Sequence, residues 1–378
     1  FPNYVDTFSE PLIRLARKLA EITPGDLSVS FFVNSGSEAN ETALKMARQY
    51  FWEKGEKNRH KVFFRRFSYH GTTLGGVSAT GLAWFREYFE PLLSRNFIPT
   101  FSARCHDCEV GLKPETCGLH CLDLVEEQMK WEGPESIAAF IMDPLPGSNT
   151  GYPVPPAGYL RRVRELCDKH GILLIFDEII TGFRFSLGGA QELFGVTPDL
   201  AAIGKSMANG FPISAVVGKR ELMKEMEEVF FSFTFGGEAI SLAAALATIG
   251  KMRREAVIET LWKEGKRVMD GVSEVISGHG LGGVFSVAGK PPWSLLMTGD
   301  HAAASSWEIK SVFKQEMLLR GILISATHNM SYSHSREEVD LLLEAYDEVF
   351  GLLRTVLEKG NLRETLVGNP IEPIFKIR

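Results

Sequence analysis

The apolar positions of this 378-residue chain follow two rhythms. Residues 29–33, 61–66, 136–142, 172–176, 200–203 and 213–217 are short runs rich in branched and aromatic side chains, the pattern of buried strands. Between them the apolar residues recur every three or four positions. Leu12, Leu15, Ala16 and Leu19 share a face over residues 8–21, and Ala39, Ala43, Met46, Ala47 and Tyr50 do so in the next such segment. Further helices are expected over 122–131, 155–170 and 238–253. Strands alternating with helices at this spacing predict βα units and a mostly parallel sheet, an α/β fold. Residues 84–100 read as an amphipathic segment followed by a Pro-punctuated loop. A large domain is expected over residues 1–252 and a smaller α/β domain over 253–378. The smaller one should have strands at 283–287, 294–297 and 322–324 and a helix over about 337–353.

The candidate chemistry sits where the strands end. Run 172–176 leads into Asp177-Glu178, and run 200–203 into Gly204-Lys205. In open α/β sheets, ligands bind at the carboxyl ends of the strands. A buried Asp and a buried Lys there can share one cofactor, the Asp holding a ring-nitrogen proton and the Lys forming an imine. That is the protein's half of pyridoxal phosphate (PLP) chemistry. A P-loop NTPase also has an apolar strand ending in acid, and Gly204-Lys205-Ser206 is similar to the end of its phosphate loop. That loop needs glycine at position 199, which is Asp, and the acidic strand here precedes the lysine. The plainest reading is a capping Asp and a solvated Lys, and the flanking turns weigh against it.

Strand 29–33 is followed by Asn34-Ser35-Gly36-Ser37-Glu38, with Ser35 and Glu38 at capping-box spacing before a helix. Free N–H groups and the positive end of a helix dipole would suit a phosphate there. Strand 61–66 leads to Ser68-Tyr69-His70-Gly71, where an aromatic ring could stack on a planar ligand. After Asp143-Pro144, the run Gly147-Ser148-Asn149-Thr150-Gly151 could bring the Asn149 amide near a ligand. Residues 230–237 are aromatic and Gly-rich, with Thr234 as the notable hydroxyl.

A net charge of −6 argues against nucleic acid or an anionic membrane as partner. No apolar run approaches the ~18 residues of a membrane span, and no signal peptide precedes Phe1. The cysteines are odd in number, five, and fit a cytoplasmic chain better than a disulfide scaffold. Four of them form Cys105-x-x-Cys108…Cys117-x-x-x-Cys121, able in principle to offer thiolates to zinc or an iron–sulfur cluster. The spacing matches no standard zinc module closely, so a structural loop of reduced cysteines is expected, with no metal in the active site.

At Ser35-Gly36-Ser37-Glu38-Ala39-Asn40, Tyr69-His70-Gly71, Asp177 to Arg184 and Gly204-Lys205, the chain resembles the class III aminotransferases, PLP enzymes of fold type I. The stretches Gly188 to Glu192 and Phe194 to Leu200 are similar to the glutamate-1-semialdehyde aminomutase branch, as is the run from His328 to His334, more weakly. The resemblance covers nearly the whole chain. It implies that Lys205 is the Schiff-base lysine and that Asp177 is the partner of the pyridine nitrogen. Ile179 and Tyr69 would lie on the two ring faces, and Gly36 and Ser37 would hold the phosphate. Asn149 would lie near the ring hydroxyl, and His70 occupies a family position of unspecified role. Thr234 would reach the phosphate across a homodimer interface. The substrates implied are a small-molecule amino donor and a carbonyl acceptor.

The sequence departs from the family in three places. The segment that commonly precedes the first helix is absent, pointing to a truncated sequence or an unusual enzyme. Asp143 stands where many relatives have Glu. The cysteine loop is foreign to the aminomutase. Arg86, Arg184 and Arg320 are candidates for binding a substrate carboxylate, though each also fits a surface or structural role. In the aminomutase, the segment after the Tyr-His-Gly turn belongs to a mobile gate. Here it carries Trp84, Phe85, Tyr88, Phe89 and Pro91. Such density suggests a packed wall, and hence transfer between separate molecules rather than aminomutation.

Overall fold

The computed structural model describes residues 7–147, 151–228 and 232–372. The chain folds as two units, Phe1–Ile258 and Glu259–Arg378.

The first unit is built on a seven-stranded sheet. Its strands in chain order are β1 (Leu27–Val33), β2 (Lys61–Arg65), β3 (Phe97–Thr100), β4 (Ile137–Met142), β5 (Leu173–Glu178), β6 (Leu200–Ile203) and β7 (Ser214–Lys219). They lie in the order β1-β7-β6-β5-β4-β2-β3. From β3 through β6 every pairing is parallel, and β7 runs antiparallel to both β6 and β1. The mostly parallel α/β sheet expected from the sequence is therefore present. Because β1 has the same sense as the parallel set, the carboxyl ends of β1, β2, β4, β5 and β6 open on one edge.

Every residue of β4, β5 and β6 is buried, as continuous apolar runs in a sheet covered on both faces should be. Side chains alternate between the faces. Leu174 and Phe176 of β5 join a core with Leu15 and Leu19 of helix Glu10–Ile22 and Val163 and Leu166 of helix Tyr159–His170. Leu173 and Ile175 join a second core with Ala43, Met46 and Ala47 of helix Gly36–Glu53.

Two expectations are corrected. The end of segment 84–100 is a strand, β3, paired in parallel with β2. Pro99 is tolerated there because β3 is an edge strand, where a missing N–H breaks no ladder; its carbonyl accepts from Gln128 Nε2 at 3.1 Å. Nor is the segment before it a packed wall, since Tyr88 and Phe89 are exposed.

The second unit carries a three-stranded antiparallel sheet of β8 (Phe285–Lys290), β9 (Trp293–Thr298) and β10 (Thr327–Asn329) in the order β10-β9-β8. Helices Ser306–Leu319 and Arg336–Lys359 each begin with a complete Ser/Glu capping box. Phe285 stacks on Phe350 at 4.6 Å between centroids, with Tyr346 edge-on to Phe350. The strand expected at 322–324 lies instead at Thr327–Asn329. Leu323 is 90% exposed, whereas His328 is buried between the Ser294 and Tyr346 hydroxyls. Those buried polar partners, not the apolar triplet, mark the strand.

Candidate active site

The β1–helix turn creates the first element of the site. Ser35 caps helix Gly36–Glu53 by accepting from the Glu38 N–H at 3.3 Å. Glu38 reaches back to the Asn34 N–H at 2.6 Å, one residue before the cap, so only half of the expected box forms. No hydrogen bond among the described residues uses the Gly36 or Ser37 N–H. These donors stand at the positive end of the helix dipole, as an anion site requires.

The β2 turn closes onto them. Ser37 Oγ accepts from the Thr72 N–H at 3.0 Å. A Cβ on Gly71 would lie 2.6 Å from Ser37 Oγ and 2.8 Å from its Cα, and Gly71 has φ +118°. Only glycine combines that conformation with so close an approach.

Asp177 ends β5, and its carboxylate is fully engaged on one side. Oδ2 accepts from Asn40 Nδ2 at 2.7 Å and His70 Nδ1 at 2.8 Å, and Oδ1 accepts from the Ile179 N–H at 3.1 Å. Asn40 also donates to the His70 carbonyl at 2.9 Å, which locks the two partners together. All three side chains are buried. Since a carboxylate only accepts, the His70 proton lies on Nδ1. His70 Nε2 and Asn40 Oδ1 are buried without a partner among the described residues.

Glu178 turns the other way. It accepts from the Ala190 N–H at 2.8 Å, the Gln191 N–H at 2.6 Å and the Thr181 hydroxyl. Burial pushes its carboxyl up to about 7, against the pull of those donors. It anchors the turn after β5 rather than facing a ligand.

Lys205 follows β6. Its side chain is exposed, not buried as the sequence suggested. Its backbone is left-handed at φ +41°, a conformation costly for a residue with a Cβ and held by its surroundings. Protein around the amine lowers its pKa, with the Arg184 charge adding to the effect and Asp177 opposing it. A lysine so perturbed carries more of the neutral amine that a nucleophile or base needs.

Ile179 joins these elements. It is 7% exposed; a Cβ on Gly36 would lie 2.9 Å from its Cγ2, and one on Gly204 would lie 3.2 Å from its Cδ1 and closer still to Ser214 Oγ. The Gly36 turn, the Asp177 strand and the Lys205 turn therefore meet at one branched side chain.

Tyr69 is 40% exposed and packs edge-on against Phe85 at 5.4 Å. Burial raises its phenol pKa, and the Asp177 charge raises it further. Asn149 lies outside the described residues. Thr234 sits in an exposed turn and makes no hydrogen bond with the other candidates among the described residues. Of the three arginines, Arg86 is tied to the Ser78 and Thr80 carbonyls and Arg320 to Glu316 and Glu348. Arg184 is half-buried, its pKa lowered by burial with Tyr152 opposing. Asn40 was the partner that sequence reasoning missed. Its signal was available: it stands one helical turn after Gly36 and so shares its face.

These residues fit PLP. Free N–H groups at a helix start, a clamped carboxylate and a perturbed lysine are the kinds of group that could meet its phosphate, ring nitrogen and aldehyde carbon.

The Aminotransferase class-III family model matches residues 3–290. An omega-aminotransferase of Caulobacter vibrioides is 34% identical over 357 residues, spanning 89% of this chain and 79% of that protein. A glutamate-1-semialdehyde 2,1-aminomutase of Syntrophobacter fumaroxidans is 33% identical over 351 residues, with 89% and 76% covered. Among solved structures, an (S)-enantioselective omega-transaminase of Thermomicrobium roseum superposes with a TM-score of 0.83 at 30% identity, covering 93% of this chain and 81% of that one. Sheet order, the lysine and carboxylate at its edge and these matches agree: the chain belongs to the class III aminotransferases, PLP-dependent enzymes of fold type I.

Proposed function

We propose that this aminotransferase moves an amino group between two separate molecules, an amine or ω-amino acid donor and a keto acid acceptor, and that it works as a cytoplasmic homodimer. Lys205, left-handed and perturbed at the end of β6 within the electrostatic reach of Asp177, supports the amino-transfer chemistry, and the similarity to an omega-aminotransferase and an omega-transaminase supports transfer between separate molecules. Relatives of comparable similarity include a beta-alanine–pyruvate aminotransferase of Pseudomonas aeruginosa, 33% identical over 306 residues.

Bound PLP supplies an electron-accepting ring for the pair left when the substrate C–H bond breaks. Lys205 would move that proton as a general base. Asp177, held by Asn40, His70 and the Ile179 N–H, keeps a proton on the ring nitrogen because an adjacent carboxylate favours the cation. The Gly36 and Ser37 N–H groups hold the phosphate. Thr234, in its exposed turn, joins the phosphate of a second copy. Arg184 is the arginine whose place suits a substrate carboxylate.

The test supplies β-alanine or alanine with a keto acid in one assay, and glutamate 1-semialdehyde alone in another. Transfer between separate molecules is expected. Efficient conversion of the semialdehyde to 5-aminolevulinate, with no transfer in the first assay, would make the enzyme an aminomutase. Light scattering should give twice the chain mass; a fully active monomer would remove Thr234 from its role.

A further inference from the structure

Nothing in the reaction uses the cysteine loop. Cys105, Cys108, Cys117 and Cys121 come from a 3₁₀ turn, the loop after it and the first turn of helix His120–Glu132. They are all half-buried, and all four line one cavity with Arg104. The loop between them has little regular backbone bonding; Glu109, which accepts from the Ser102 N–H at 2.8 Å and pairs with Arg66 at 2.9 Å, is its main polar tie.

We propose that these four cysteines hold one zinc ion as a tetrathiolate site that fixes the loop. The cavity between them has room for about one water-sized sphere, and so for a single ion. Two features beside it suit a thiolate. Arg104 stands on the rim; its Nη2 pairs with the exposed Asp107 at 2.7 Å, while its Nε is buried and without a partner among the described residues. Cys121 lies in the first turn of its helix, at the positive dipole end. A thiolate gains from both features, whereas a disulfide gains from neither.

Among the described residues no three His, Cys, Asp or Glu side chains already stand in coordinating geometry. Binding therefore turns the thiol rotamers inward around the cavity. Four thiols lose their protons to the buffer, four Zn–S bonds form, and no oxidation state changes.

Elemental analysis of the purified enzyme should find about one zinc per chain, falling about ten-fold or more in a Cys105→Ser, Cys121→Ser variant. Should that variant fail to fold, the wild-type protein decides alone. Mercurial titration of its thiols should release the zinc, and cobalt exchange should yield the d–d bands of a tetrahedral tetrathiolate. Zinc-free protein whose cysteines all react as free thiols would overturn the proposal. So would a mass two hydrogen atoms lighter per disulfide, or iron with acid-labile sulfide. Because these readouts concern metal and thiols, they stand apart from the transamination assay.

Discussion

The sheet edge and the cysteine loop solve the problem of holding reactive side chains in opposite ways. At the edge, position comes from backbone: β5 and β6 are buried strands, and each reactive residue sits at or just beyond the end of its strand. The strain is local. Phe67, Tyr152, Phe183, Lys205 and Asn209, all near strand ends or in the turns beyond them, adopt positive φ, as functional sites supported by a rigid scaffold do. The loop has no such scaffold, so its order must come from bonds between side chains. The edge should therefore tolerate loss of a side chain without unfolding, while the loop should lose its order when a thiol is removed.

Lys205→Ala provides the largest effect. Turnover should fall by at least about four orders of magnitude, since both base and covalent anchor are lost. Borohydride should no longer trap PLP on this residue, while the urea midpoint stays near wild type because the side chain is exposed. A trapped adduct on another lysine would show that the anchor lies elsewhere.

Asp177→Asn comes next, at about two to three orders of magnitude in kcat. It also turns an amide N–H₂ toward the Asn40, His70 and Ile179 donors, costing about 1–3 kcal/mol of stability. Near-wild-type turnover would place the ring-nitrogen partner elsewhere.

How far the two regions could be read in advance reflects the same contrast. Strand-end residues were legible because period and composition locate a strand, and the strand fixes the position of the turn at its end. Asp177, Lys205, Gly36 and Tyr69 belong to that class. The exposure of Lys205 was not legible, since it depends on what packs around the turn. Asn40 could be placed on the Gly36 face of its helix, but not its contact with Asp177, which spans 137 positions. The β10 strand was misplaced because buried hydroxyl partners for His328 outweighed the apolar run before it. Spacing alone showed the cysteines as a cluster; only the fold brings them around one cavity.

Gly36→Ala tests the crowding at the edge. The added Cβ would meet Ile179 Cγ2 at 2.9 Å, so either Ile179 or the Gly36 turn must shift. PLP should be held about ten-fold more weakly, and stability should drop by about 1–3 kcal/mol. Unchanged cofactor affinity by equilibrium dialysis would show that the N–H groups of this turn do not hold the phosphate.

The smallest effect separates the two adjacent carboxylates. Glu178 is fully buried and its carboxyl is pushed up to about 7, above the ordinary carboxylate value it regains on unfolding. A group raised in the folded state favours folding most when protonated. Its contribution is therefore full below about pH 4.5 and lost as the pH climbs through about 7. Wild-type stability should fall across that window by about 1–3 kcal/mol from this residue. Glu178→Gln cannot titrate and should show a flatter profile, with kcat little changed because the carboxylate faces Thr181, Ala190 and Gln191. Urea titrations of both proteins at several pH values measure the difference. Parallel profiles would mean that the three donors keep Glu178 ionised throughout, and that the turn after β5 is held by charge rather than by a neutral acid.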